Sequence, residues 1–87
     1  MEENQKLQLL FTQLVLMFHA ACAQQLGKVK HPITDKLEKD LPAAQSTIDM
    51  LDMLHQKTRG NLSAEEEQLL TQVISELKLT YVQEART

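Results

Sequence analysis

The sequence predicts an all-α fold, in which a long apolar helix packs against an antiparallel helical hairpin within one domain spanning residues 1–87. Two glycines, two prolines and 3% aromatic residues are too few for a loop-rich β-fold. Apolar residues recur at three- and four-residue steps in three segments, which is the helical period. We expect helices at about 5–26, 41–59 and 63–84, with a charged linker at 27–40.

The first helix contains the uncharged stretch Leu7–Leu26, in a chain that is 24% charged. It would be roughly 30 Å long at the helical rise per residue, and Gly27 suits the position after a helix end. The pattern predicts a main buried stripe made of Leu7, Leu10, Phe11, Leu14, Phe18, Ala21 and Cys22. A second apolar strip lies nearly opposite and contains Leu9, Leu16, Ala20 and Ala23. A helix that is apolar almost all round is expected to be buried almost all round.

The linker at 27–40 carries mixed charges and Pro32, and it is long for a connection between two helices. It can return antiparallel to the first helix or cross the full length of the domain, so the topology is left open. The second helix is expected to begin at Asp40, a capping residue, with Pro42 tolerated in its first turn and Gly60 at its end. Its apolar stripe contains Leu41, Ala44, Ile48, Leu51, Leu54 and His55, and is widened by Met50 and Met53.

The third helix has the clearest start signal in the chain. Ser63 and Glu66 have the spacing of a capping box, and the carboxylates of Glu65–Glu67 suit the positive end of the helix dipole. A short turn at Gly60–Leu62 predicts an antiparallel hairpin between the second and third helices. The expected buried face contains Leu69, Leu70, Val73, Ile74, Leu77 and Tyr81.

The second apolar strip of the first helix predicts an assembly, because one hairpin can cover only one side of that helix. Left in water, Leu9 and Leu16 would each forgo about 1.5–3 kcal/mol of burial. We therefore expect a homodimer, or a higher even assembly, with the first helices near the symmetry axis of a helical bundle. The candidate oligomer interface is Leu9, Leu16, Ala20 and Ala23.

Charge and cysteine usage narrow the partners and the compartment. A net charge of −3 with mixed signs argues against nucleic acid, which needs a basic face. Cys22 is the one cysteine, which leaves no intrachain disulfide and suits a reducing, cytoplasmic setting. The first helix is long enough to span a membrane, but six polar residues interrupt it and the chain starts Met1-Glu2-Glu3, unlike a signal peptide. We expect a buried helix rather than a membrane span.

The residues with reactive or ligating side chains are expected to serve packing, so we predict no catalytic residue, metal or cofactor. His19 and Cys22 form the one Cys–His pair at helical spacing, and this pair has no orienting third group. The turn containing Lys57, Arg59 and Asn61 is a candidate anion site, but a helix corner with one glycine explains it better, and the adjacent glutamates would repel an anion. A pocket between helices near Met50, Met53 and His55 is the remaining candidate site.

One stretch carries a family resemblance. The run Asp40–Glu66 contains the segments Ile48-Asp49-Met50-Leu51 and Lys57-Thr58-Arg59-Gly60-Asn61-Leu62-Ser63. This run resembles a bacterial family of short proteins catalogued as domain of unknown function 1844, and the first and last helices fit the same family. The resemblance implies a small, cytoplasmic, helical bacterial protein. It implies no activity and no site residues.

The function that these observations favour is a non-enzymatic, oligomeric protein–protein interaction module. Its basis is the excess of apolar surface together with the lack of a convergent catalytic set. The alternative is a ligand-binding or regulatory helical domain whose pocket lies between the helices.

Overall fold

The computed structural model describes residues 2–86 and is all-α, as the sequence predicts. Its three helices are α1 (Glu3–Gln25), α2 (Leu41–Lys57) and α3 (Ala64–Ala85). These bounds differ from the expected ones by no more than two residues at each end. Each helix packs against the other two, so the described residues form one three-helix unit.

The helices run up, down and up. The C-terminal end of α1 meets the start of α2, where the Asp40 amide donates to the Gln25 carbonyl at 2.8 Å. The linker between α1 and α2 also contacts the C-terminal end of α3, where the Lys28 ammonium lies 2.6 Å from the Glu84 carboxylate. Thus α1 is antiparallel to α2 and parallel to α3. Of the two linker paths that the sequence leaves open, the chain takes the one that returns antiparallel.

Local signals set the helix boundaries. The Asp40 carboxylate accepts from the Ala43 amide at 3.1 Å and caps α2. In α3 both bonds of the predicted capping box are present, since Ser63 Oγ accepts from the Glu66 amide at 3.2 Å and Glu66 Oε1 accepts from the Ser63 amide at 2.8 Å. Gly60 has φ +86°, the left-handed conformation expected of it in the turn that joins α2 to α3.

The buried core lies between the three helices and consists of Val15, Cys22, Leu26, Ala44, Ile48, Leu51, Leu70, Val73, Ile74 and Leu77. Phe11 and Phe18 pack against it from α1. The expected main stripe of α1 is therefore partly wrong. Phe11, Phe18 and Cys22 do face the hairpin, but Leu7, Leu10 and Leu14 are exposed and Val15 takes a central place.

The physical reason for this difference is the width of the apolar surface of α1. Successive residues are rotated by about 100° in a helix, so the expected stripe spans only about 120°, but further apolar side chains continue around most of the circumference and leave the rotation of α1 undetermined by the pattern. The hairpin covers the side of α1 that contains Val15, Cys22 and the following Leu26. Leu7, Leu10 and Leu14 lie outside this side.

Candidate protein-interaction surface

The outward side of α1 is apolar and exposed. Its six large apolar side chains are between 39% and 68% exposed, and they are Leu7, Leu9, Leu10, Leu14, Leu16 and Met17. By length and composition α1 is a candidate membrane span. Only 11% of its most apolar stretch of 18 residues is buried within the described residues. A core helix of a self-sufficient domain would be mostly buried, so a large part of α1 lacks cover inside its own chain.

These residues form two strips on the helix together with three alanines, of which Ala20 is exposed and Ala21 and Ala23 are half-buried. The Leu14 strip contains Leu7, Leu10, Leu14, Met17 and Ala21, and the Leu16 strip contains Leu9, Leu16, Ala20 and Ala23. At about 100° per residue, the two strips lie about 130° apart, and each lies about 100–130° from the face that packs on the hairpin. A narrow polar band of Lys6, Gln13 and Gln24 separates them. The helix therefore has three apolar faces, and its own chain covers one.

The Leu16 strip consists of the four residues that the sequence predicts as the oligomer interface. Leu9 and Leu16 are 47% and 49% exposed, Ala20 is exposed and Ala23 is half-buried. This strip borders α3, because His19, on the adjoining face of α1, contacts Glu76 of α3 through Nε2 and Oε1 at 3.2 Å.

The Leu14 strip borders α2 and continues onto it. Thr47 of α2 donates its hydroxyl to Gln25 of α1 at 2.8 Å, which fixes the side of α2 that faces α1. The opposite flank of α2 faces α3, where Asp52 pairs with Lys78 at 3.0 Å. Helical periodicity places Met50 on the flank away from α3, next to the Leu14 strip, and Met53 beyond Met50 on the outward side of α2. We call the Leu14 strip together with Met50 and Met53 the α1–α2 face.

The accessible surface and the radius of gyration are both larger than those of a compact monomer of this size. The chain has an accessible surface of 6084 Å², whereas a compact monomer of 9.9 kDa has about 5,200 Å². The radius of gyration is 14.1 Å, against about 12 Å expected for this length. The excess of roughly 900 Å² is close to the 800 Å² or so that each partner buries in a standard protein interface.

The residues proposed for a pocket do not converge. Met50 and Met53 lie on the outer flank of α2, while His55 turns toward α3 and its Nε2 lies 2.7 Å from Glu67 Oε1. Lys57 is exposed at the end of α2. Arg59 and Asn61 are exposed in the turn that follows. The methionines therefore belong to the α1–α2 face, and His55 to the contact between α2 and α3.

Cys22 and His19 also take separate roles. The Cys22 thiol is fully buried and points at the Ala44 carbonyl oxygen, 3.7 Å away. Burial disfavours the thiolate and raises the pKa of Cys22 to about 11. His19 instead joins α1 to α3 through Glu76. Within residues 2–86, no group of three or more His, Cys, Asp or Glu side chains is arranged to hold a metal ion.

One charged contact escapes sequence reasoning altogether. Glu84 of α3 lies 2.6 Å from Lys28 Nζ and 3.0 Å from Lys39 Nζ, and thus ties both ends of the linker to α3. The hydrogen bond from Lys28, followed by that from Lys39, lowers the pKa of Glu84. The three residues are far apart in sequence, so no local pattern announces the contact. The Leu14 strip, by contrast, has alternating three- and four-residue steps that mark a helix-packing seam in the sequence itself.

The fold and this surface define the class of the protein: a small three-helix unit with an uncovered apolar helix. A sequence profile of the family described as "Domain of unknown function (DUF1844)" matches residues 8–83, and the chain belongs to this family. That match confirms the resemblance seen in the Asp40–Glu66 run. Comparisons with curated proteins and with solved structures return no match.

Proposed function

We propose that this chain is a non-enzymatic interaction module of the cytoplasm that assembles with copies of itself through the outer side of α1. The observation that carries the proposal is the exposure of six large apolar side chains on one helix. Monomeric proteins rarely leave a contiguous apolar patch larger than a few hundred Å² in water. The surface excess of roughly 900 Å² is of the size that one interface would remove.

The proposed interface between two copies is the Leu16 strip. Leu9 and Leu16 are each about half exposed, so full burial of the pair in one copy contributes roughly 1.5–3 kcal/mol. Ala20 and Ala23 have small side chains, which let the backbone of a second helix come close. A two-fold axis would bring the same strip of both copies together, as in most homodimers.

The two helix histidines support a packing role rather than a catalytic one. His19 contacts Glu76 and His55 contacts Glu67, and each pair joins α3 to one of the other helices. The buried Cys22 thiol, whose pKa is raised, is a poor nucleophile. These groups therefore support the proposal of a module that binds and does not catalyse.

The test is the mass of the protein in solution, measured by size-exclusion chromatography with light scattering at micromolar concentration. We expect an even number of 9.9 kDa chains in the wild type and a smaller assembly for Leu16→Glu. The matched control is Leu79→Glu, the same change at a 61%-exposed leucine of α3, which should leave the mass unchanged. A compact wild-type monomer would overturn the proposal.

A further inference from the structure

The α1–α2 face remains uncovered when two copies meet through the Leu16 strip. It contains six large apolar side chains, Leu7, Leu10, Leu14, Met17, Met50 and Met53, all at least 39% exposed. The residues on α1 recur at alternating steps of three and four over fifteen residues. This spacing is the seam that one helix presents to another in a coiled coil, so the shape of the face fits a helix.

We propose that the α1–α2 face is a second docking surface for another copy of this chain, whose α1 packs antiparallel against it. The proposal rests on the self-association proposed above and adds a second interface to it. Two dimers formed through the Leu16 strip then join through their α1–α2 faces into a tetramer. Two different self-complementary interfaces on one chain close at four copies, in dihedral symmetry, when their two-fold axes cross at right angles.

The sizes of the side chains favour the antiparallel orientation. Along the Leu14 strip the bulky residues Leu7, Leu10 and Leu14 occupy the N-terminal half of α1, whereas Ala21 lies in the C-terminal half. Parallel pairing would set leucine against leucine at one end and alanine against alanine at the other, which prevents an even helix spacing. In the antiparallel register with Leu14 opposite Met17, Leu10 of each copy lies opposite Ala21 of the other, so bulk is distributed evenly and the two axes stay at a more constant distance.

The charges at the two ends of the helix favour the same orientation. Glu2 and Glu3 lie at the start of α1, and the chain continues beyond its C-terminal end into Lys28 and Lys30, which are exposed. Lys28 contacts Glu84 of its own chain, yet half of its side chain remains accessible. An antiparallel register with Leu14 opposite Met17 of the second copy brings the acidic start of each α1 near the basic segment that follows α1 in the other copy. A parallel arrangement would instead bring like charges together at both ends.

The polar band between the two strips is compatible with this assembly. Four antiparallel α1 helices would form a central bundle, with their α2–α3 hairpins outside, and the band would face the bundle axis. Gln13 carries both a donor and an acceptor, so its amide can hydrogen-bond to Gln13 of another copy. Lys6 and Gln24 lie near the ends of the bundle, where water reaches them.

Light scattering on a matched set of variants tests the proposal. Leu10 and Leu16 are both 49% exposed on the same helix, so Leu10→Glu and Leu16→Glu are equal changes to different faces. We expect four copies for the wild type, two for each single variant and one for the double variant. Far-ultraviolet circular dichroism establishes that each variant keeps its helices, and Leu79→Glu should remain at four copies.

Disulfide cross-linking tests the orientation. In the Leu16→Glu background, where only the α1–α2 face holds two copies together, Leu10→Cys and Ala21→Cys are prepared as separate proteins. We expect a cross-linked dimer only when the two are mixed, because residue 10 of one copy faces residue 21 of the other in the antiparallel register. Cross-linking of each protein with itself would show a parallel pair and overturn the orientation. Cys22 stays in place, since its buried thiol does not compete.

Three other outcomes separate this proposal from the one it rests on. A two-copy wild type that only Leu16→Glu dissociates would overturn the second surface and leave self-association standing. Monomers from both single variants would show one continuous interface and overturn the second surface as well. Co-sedimentation with anionic phospholipid vesicles, lost in Leu10→Glu while the mass stays at two copies, would assign the α1–α2 face to a membrane instead. A monomeric wild type would overturn both proposals.

Discussion

The rotation of α1 about its own axis can be tested with two neighbouring residues, Leu14 and Val15. Val15 is fully buried against the hairpin, whereas Leu14 is 39% exposed on the α1–α2 face. The apolar pattern alone places Leu14 in the core and leaves Val15 out of the stripe. The structure buries Val15 and exposes Leu14. An alanine substitution at Val15 should therefore reduce the free energy of unfolding more than one at Leu14, which is the opposite of what the pattern implies.

Val15→Ala removes two buried methyl groups and leaves a cavity between α1 and the hairpin. Loss of one buried methyl group typically costs about 0.5–1.5 kcal/mol, so we expect a loss of about 1–3 kcal/mol in the free energy of unfolding. For a domain of this size each kcal/mol lowers the melting temperature by roughly 4–8 °C. Leu14→Ala removes a larger side chain, but 39% of Leu14 is already in water and no enclosed cavity is left, so we expect a loss of about 1–1.5 kcal/mol.

The assay is urea denaturation followed by circular dichroism, in the background of Leu10→Glu with Leu16→Glu. We expect that background to be monomeric, so that contacts between copies do not enter the comparison. Leu10→Glu with Leu16→Glu alone is the reference for both alanine variants. A greater loss for Leu14→Ala than for Val15→Ala would mean that α1 presents a different face to the hairpin, and the description of both outer strips would fail with it.

Two further predictions concern titratable groups. Because the contacts with Lys28 and Lys39 lower the pKa of Glu84 below 4.5, its ionised form stabilises the fold above that pH, and this contribution is lost as the pH falls through the lowered pKa. The melting temperature of Glu84→Gln should therefore lie below that of the wild type at pH 7, and the difference should disappear in acid. A difference that stays constant down to pH 3 would contradict the contacts of Glu84 with Lys28 and Lys39. Cys22, whose pKa burial raises to about 11, should resist iodoacetamide at pH 8 in the folded protein and react within minutes in denaturant, as followed by mass spectrometry; rapid labelling of the folded chain would refute its burial against Ala44.

The helix ends show how far local sequence reasoning reaches. The caps at Asp40 and Ser63 depend on bonds between residues three apart, so the residue types and their spacing are enough to predict them. The start of α1 is harder to predict, because Glu2 and Gln5 are not strong capping signals. In the structure the Glu2 amide nevertheless donates to the Gln5 side chain at 3.4 Å. The helix accordingly begins at Glu3, two residues before the expected start.

The path of the linker shows where local reasoning ends. Its composition is compatible with both a return and a crossing. The choice between them depends on contacts that join distant parts of the chain, such as the pairing of Leu26 with Lys39 and the clamp of Glu84 on Lys28. No spacing within the linker encodes those partners.

Residue types and their periodicity were thus sufficient for the helical class, the number of helices, their ends to within two residues, and the excess of apolar surface on α1. The assembled molecule was needed to show which third of α1 the hairpin covers, and hence that Val15 is inside while Leu14 joins Met50 and Met53 outside. The reason is that a helix that is apolar on every side has no preferred rotation of its own. Only the shape of the surface that it packs against selects one face, and the two faces left over are the ones for which further copies of the chain are proposed.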